Sequence, residues 1–317
     1  MARYMTSSEL IASVKRRAML PSTQVTFTDD DFLAFANEEM DMALIPYVLA
    51  FHQDYFLNHV KVPLVESQSE YQIPYRAIGN KLRDVAHEVG HIVYEMTRIT
   101  KTDEPYYQFS AGAVVGTGLK VFYIEGNNIV LVPKLSYGGA VHGELVISYY
   151  LRPNALVSES RAMTIQSIDP TTGLITVNAV PNIFTVGANV DLIKTQSPST
   201  TYAYDIPLLN IDAVANTIQI DPTLIPRFLA VGDYICLAEE SIIPQIPTDL
   251  HSMLAQRVAC RCLEALGDQQ GLASANQKLQ EMEFKAGTIV DSRVEDAPLK
   301  VLNRHGFLRT TRRYVRR

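Results

Sequence analysis

Helical periodicity at both ends of the chain, with β patterning between, limits the fold more than any other feature of these 317 residues. At the N-terminus, Thr6 and Glu9 match a capping box, predicting a helix that runs to about Ala18 and stops before Pro21. Thr28 caps a second start, with Asp29, Asp30 and Asp31 against the positive end of the helix dipole. Phe32, Phe35, Ala36, Met40, Ala43 and Tyr47 recur at spacings of three and four as one apolar stripe, and Pro46 should kink or interrupt that helix. At the other end, Thr248 is placed to cap a helix with Leu250, Leu254, Val258, Cys262 and Leu266 at i+4. Gly267 ends it and Asp268 caps the next. There Leu272, Leu279 and Ala286 repeat every seven, with Ala275, Met282 and Ile289 three behind each. Neither end can bury its stripe alone, so the two should form one bundle, with Leu272, Leu279, Met282 and Ile289 at its core.

The middle reads as β. Val121–Ile124 and Ile129–Val132 flank Glu125-Gly126-Asn127-Asn128, a strand, a turn and a strand, and Glu144–Tyr150 is a further β-rich run. An internal echo follows. Ile168-Asp169, Ile175, Val177, Val186-Gly187, Val190 and Leu192 recur 43 to 45 residues later as Ile211-Asp212, Ile218, Ile220, Val231-Gly232, Ile235 and Leu237. Two copies are too few for a solenoid, which leaves a small barrel or sandwich of two similar halves, or a chance likeness of short β units. The expected fold class is α+β: a terminal helical bundle, a large antiparallel β insertion (barrel or sandwich) and an extended C-terminal arm. The segments are 1–60 (N-terminal helices), 61–155 (first β part), 156–243 (duplicated β unit), 244–292 (C-terminal helices) and 293–317 (arm).

One motif tempts. His87-Glu88-Val89-Gly90-His91 matches H-E-x-x-H, which on a helix places two imidazoles on one face for Zn²⁺, with the glutamate as general base. Three facts oppose a zinc peptidase. Tyr94 and Thr97 stand where an extended ligand motif needs Gly and His; the flanks read as strands around a turn at Val89-Gly90; and the substitute third ligands, Glu125 and Glu144, lie in β patterns. No G-x-S-x-G, P-loop or dinucleotide fingerprint is present, and Gly112, Gly116 and Gly118 read as a loop. No catalytic residue, metal ligand or cofactor site is expected. Cys236, Cys260 and Cys262 are too few for a disulfide framework and read as small buried hydrophobes made in a reducing cytoplasm. No run of 18 apolar residues suggests a membrane span, and the first ten residues do not read as a signal peptide.

Charge is unevenly spread. The net charge is −6, yet residues 298–317 hold seven basic and no acidic side chains, leaving the other 297 at −13. Phe307, Leu308, Tyr314 and Val315 lie among those arginines, as suits a segment that orders on a partner. A solvated end or a nucleic-acid contact are the other readings of such a tail.

The order of these elements carries a resemblance: the N-terminal helices, the extended Tyr71–Val85 segment, Val130-Leu131-Val132-Pro133, Tyr149-Tyr150-Leu151-Arg152-Pro153, the double β unit, Val231-Gly232-Asp233-Tyr234-Ile235, then Pro244-Gln245-Ile246-Pro247 and the last helices. It resembles the head-to-tail adaptor (connector, tail tubular protein A-like) proteins of tailed bacteriophages. The resemblance implies a virion structural protein at the head–tail junction, a homo-oligomeric ring, commonly a dodecamer, beneath the portal. The bundle would pack between neighbours, the β domain would face downstream tail or nozzle proteins, and double-stranded DNA would pass through the channel. An acidic body suits that passage, since like charges repel phosphates. The resemblance also implies that the C-terminal segment docks on the portal. Its contact residues would be Arg304, Phe307, Leu308, Arg309, Arg312, Arg313, Tyr314, Arg316 and Arg317. A tail fibre or receptor-binding component is the rival structural class.

Overall fold

A computed structural model describes residues 4–21, 26–65, 68–108, 121–132, 143–195 and 201–290, and the side chains within them except those of 108, 202, 288 and 289. The fold is α+β. The arm 293–317, with all nine of its named contact residues, the Gly112–Gly118 loop and the Ile289 side chain lie outside the described residues.

Helix α1 (Ser7–Arg17) and helix α2 (Asp29–Glu39) start at capping boxes built by Thr6 with Glu9 and by Thr28 with Asp31. The expected break at Pro46 is displaced. A π-helical turn, Met40–Leu44, widens the helix just before the proline, and α3 (Ile45–Phe51) then carries Pro46 in its first turn. The widened turn before Pro46 accommodates the hydrogen bond that its missing N–H cannot make, so the chain continues as helix. A short helix, α4 (Glu104–Gln108), lies in the β region. The reading of Thr248 as a cap is corrected: Thr248–Leu250 is a 3₁₀ turn after Pro247, and α5 (His251–Leu266) follows it without a side-chain cap. The 3₁₀ turn supplies the first carbonyls in place of a capping hydroxyl. Gly267, at φ 74°, ends α5 in the left-handed region that glycine adopts without strain. Asp268 Oδ1 then accepts the Gly271 N–H at 3.0 Å and starts α6 (Gln269–Val290).

One apolar core joins the two ends of the chain. Leu10, Val14, Phe32, Leu33, Met40, Leu44 and Val48 pack with Leu254, Val258, Cys262, Ala275 and Ala286. Leu272, Leu279 and Met282 lie half-buried against this core, whereas Leu266 is largely exposed. Charged groups seal the seam. Glu39, itself buried, takes Arg257 Nη1 at 3.0 Å and Arg261 Nε at 2.6 Å, and Tyr47 donates to the Glu283 carbonyl at 2.9 Å.

The first β region comprises β1 (Leu57–Pro63), β2 (Glu70–Gln72), β3 (Ala77–Val89), β4 (Ile92–Glu95), β5 (Thr97–Arg98), β6 (Val121–Glu125), β7 (Asn128–Val132) and β8 (Glu144–Leu151). Two four-stranded sheets form, in orders β1-β8-β3-β4 and β2-β7-β6-β5. They bury Val85, Leu145, Ile147 and Tyr149 against Tyr71, Phe122, Ile129 and Leu131, so this part is a sandwich.

The second part is a barrel. Its strands are β9 (Ala155–Leu156), β10 (Met163–Asp169), β11 (Leu174–Val177), β12 (Asn189–Ile193), β13 (Thr201–Pro207), β14 (Asn210–Asp212), β15 (Thr217–Gln219), β16 (Tyr234–Leu237) and β17 (Glu240–Ser241). β9 and β17 pair with each other as a separate two-stranded ribbon. The remainder run β13-β12-β16-β10-β11-β15-β14. The two ends of that order, β13 and β14, are consecutive pieces of one stretch broken only at Leu208-Leu209, so the sheet closes on itself. The sequence echo is its internal two-fold. Ile175 pairs with its own repeat mate Ile218, and Val190↔Leu237 mirrors Leu192↔Ile235. Likewise Met163↔Ile235 is repeated by Ile206↔Val190. The two halves complete one core, Met163, Ile165, Ile175, Val190, Leu192, Ile206, Ile218 and Ile235.

Candidate assembly surfaces

His87-Glu88-Val89-Gly90-His91 is a β-hairpin tip. β3 and β4 pair antiparallel, Val89 faces Ile92 in the register, and Gly90 adopts φ 63° in the turn. His87 is buried within β3, paired to Tyr94 on one side and Leu145 on the other, while His91 is exposed in the turn. Two histidines on one helix face, which the peptidase reading requires, are therefore not what this segment provides. Glu88 is held by Lys61 Nζ at 2.5 Å. Among the described residues, no group of three His, Cys, Asp or Glu side chains stands together as a metal site. The three cysteines are buried; burial pushes the Cys262 thiol up to about 11 and Cys236 higher still, away from nucleophilic use.

The strongest polar constellation joins the sandwich to the barrel. Arg76 sits in the turn before β3 and inserts its guanidinium, only 4 % exposed, between barrel strands. It grips Asp191 of β12 bidentately, Nη1 to Oδ2 at 2.9 Å and Nη2 to Oδ1 at 3.0 Å. It also reaches Asp205 of β13, Nη2 to Oδ1 at 2.6 Å and Nε to Oδ2 at 3.1 Å. The remaining Nη1 proton goes to Asn154 Oδ1 at 3.0 Å, so all five N–H donors are used. Tyr204 and Tyr75 lie on the guanidinium, with ring centroids 5.1 and 5.5 Å away. Burial alone would pull the Arg76 pKa down, but the carboxylates of Asp205 and Asp191 outweigh it and raise it above the ordinary arginine range. Burial likewise acts to raise Asp205, yet the hydrogen bonds from Arg76 and Tyr75 outweigh it and hold that carboxyl below its usual range. Asp205 occupies φ 56°, a strained setting for a residue with a Cβ, and its N–H donates to Asp191 Oδ1 at 3.0 Å. These charges fix one region on another, and no group in the cluster is left poised as a nucleophile or base.

Two smaller ties fix the bundle to the chain segments that flank the barrel. Asn37 of α2 pairs with Leu156 as a strand would, accepting its N–H at 2.7 Å and donating to its carbonyl at 3.1 Å. At the start of the chain, the Met5 N–H donates to His251 Nδ1 at 3.1 Å, and His251 Nε2 donates to the Pro244 carbonyl at 3.0 Å. Burial depresses the His251 pKa to about 4, so the ring stays neutral in this setting. Sequence reasoning passed over Arg76, Asp191, Asp205, Asn154 and His251. They lie on no motif and meet only in the fold.

These contacts lock the described parts of the chain to one another. A family model described as SU10 adaptor protein matches residues 5–188, more than half of the chain. The chain therefore belongs to the SU10 adaptor protein family, and it is a phage structural adaptor and virion component that interacts with other head or tail parts. The match covers the N-terminal helices, the sandwich and the first two strands of the barrel sheet, β10 and β11. No curated protein matches the chain. No helix among the described residues is long and apolar enough to cross a membrane.

Proposed function

We propose that this chain is the head-to-tail connector of its phage, a tail tubular protein A-like subunit. It forms a homo-oligomeric ring, of dodecameric order, below the portal and continues the DNA channel toward the downstream tail or nozzle proteins. The adaptor family match is the observation that carries the reading. The charge distribution supports it further: a body at −13 suits a wall past which DNA must slide, and the basic segment 298–317 suits a contact with an acidic partner surface. In this reading Phe307, Leu308 and Tyr314 are buried on the portal, and Arg304, Arg309, Arg312, Arg313, Arg316 and Arg317 pair with its carboxylates. The helical bundle lies between neighbouring copies.

The test is a chain ending at Asn303. It should stay soluble and folded by circular dichroism, because the described core ends at Val290, but should no longer bind purified portal rings. Unchanged attachment with unchanged salt dependence would refute the docking role.

A further inference from the structure

Between Asp41 and Asp54 the twelve residues Met42–Gln53 carry no charged side chain. They form most of the π-helical turn and all of α3. The inner face, Leu44, Ile45 and Val48, is buried in the bundle core. The outer face is apolar too: Met42, Pro46 and Ala50, spaced by four, are exposed, Met42 by 83 %. Phe51 is 45 % exposed at the end of α3. A helix that is apolar all round is ordinarily covered all round. α6 shows the usual contrast, with Ser274, Gln277, Lys278 and Glu281 exposed, and its large apolar exception is Phe284, 85 % exposed.

Phe284 stands on the α3 side of its helix. Tyr47 donates to the Glu283 carbonyl at 2.9 Å, and a Cβ on Gly287 would stand 3.5 Å from Phe51 Cζ, so the two helices touch and advance in step. Phe284 is one turn before Gly287, which sets it beside Phe51. Met42, Pro46, Ala50, Phe51 and Phe284 thus make one apolar surface along α3 and the end of α6, the composition of an interface centre rather than of solvated surface. The described chain leaves α6 at Val290, one turn past Gly287. The residues that follow, 291–303, hold Val294, Leu299, Val301 and Leu302. Because Tyr47 is level with Glu283, Met42 lies about 18 Å back from the level of Val290, a distance that an extended chain covers in about six residues. Asp291 and Ser292 are residues that suit the reversal this needs.

We propose that residues 294–302 fold back on their own bundle and cover this surface as a strap, with Val294, Leu299, Val301 and Leu302 against Met42, Ala50, Phe51 and Phe284. The tether decides the occupant. A linker of a few residues holds the strap at an effective concentration on the order of millimolar, an advantage that a second copy or another protein arriving from solution lacks. The inference does not rest on the connector reading. Residues 304–317 stay available to the portal, and the strap fixes where that docking stretch begins on the bundle.

The chain contains no tryptophan, so Phe284→Trp in the full-length protein is a single fluorescent reporter at the surface in question. Its emission should be shifted to the blue, and acrylamide should quench it several-fold less than in the same chain carrying Val301→Asp and Leu302→Asp, because a charge on the strap resists burial. The protection should persist on serial dilution. Under oxidation, Met42→Cys with Val301→Cys should close a disulfide within one chain, seen as a faster-migrating monomer on a non-reducing gel; the native cysteines are buried and do not compete. Equal quenching with and without the two aspartates would overturn the proposal. So would protection that disappears on dilution, which assigns the surface to a second copy or its arm, or cross-linked dimers in place of the closed monomer. The portal-docking reading fails separately, by continued portal binding of the chain ending at Asn303.

Discussion

Replacing Arg76 with methionine should loosen the sandwich from the barrel more than any other single surface-distant change. The side chain is nearly isosteric along its stem, so the principal loss is the guanidinium. Asp191, with no exposed side-chain surface, would then be a buried carboxylate beside Asp205 without a cation. It would keep three donors, Asn154 Nδ2 at 2.6 Å, the Asp205 N–H at 3.0 Å and the Glu239 N–H at 3.1 Å. Those donors place the cost near the lower end of the ~3–5 kcal/mol that breaking a buried ion pair incurs. A loss of ~3 kcal/mol shifts the unfolding equilibrium by roughly two orders of magnitude. Urea unfolding followed by circular dichroism and by hydrogen exchange at barrel amides reads it. Barrel protection should fall while the helical bundle keeps its own, because the bundle core shares no side chain with this joint. Arg76→Met with Asp191→Asn should be more stable than Arg76→Met alone, since the orphaned charge is gone. A loss below about 1 kcal/mol for Arg76→Met, or no recovery in the double variant, would refute the view that this pair couples the two regions.

The His251 tie gives a pH dependence. Its folded pKa, about 4, lies below the unfolded 6.5, so the unfolded chain takes up the proton first, and stability present above pH 6.5 falls as pH drops toward 4. The contribution is about 3 kcal/mol at most, and His251→Gln should flatten that part of the urea-midpoint profile. Gly173→Ala should destabilise the barrel by several kcal/mol, because a Cβ there would stand 2.0 Å from the Ile220 carbonyl oxygen at φ +75°; a melting temperature within a degree or so of wild type would contradict this. Its repeat mate Asn216 also lies at positive φ, 51°, and Asn216→Gly should be tolerated or mildly stabilising in the same assay.

What could be read from residues alone was local or periodic. The boxes at Thr6 and Thr28, the stop at Gly267 and the stripes of α2, α5 and α6 depend on spacings of three to seven residues, which a sequence displays directly. The echo at 43 to 45 residues was legible as a repeat, and the open choice between barrel and sandwich had a physical reason. Closure depends on Thr201–Asp212 serving two partners, β12 and β15, which no local pattern encodes. The sandwich and the barrel both exist, one in each half of the β insertion. The turn expected at Val89-Gly90 falls one residue later, at Gly90-His91; it was legible because β-branched residues flank a glycine, and that outweighed the five-residue zinc motif. Thr248 misled because a threonine before a helical stripe does not distinguish a cap from a 3₁₀ lead-in. The Arg76 joint was illegible for a different reason. Its partners lie 78, 115 and 129 residues away, and Arg, Asn and Asp are ordinary surface residues until a fold buries them.

The proposed role of this SU10-family adaptor is the ring joining head to tail. Quantitative mass spectrometry of purified virions, counting this chain against the portal protein, tests it most directly. The ring reading gives equal copy numbers of chain and portal and loss of both tail and chain together from heads that lack the junction. A copy number in small multiples of three per tail appendage, or retention of this chain on detached fibres, would contradict it.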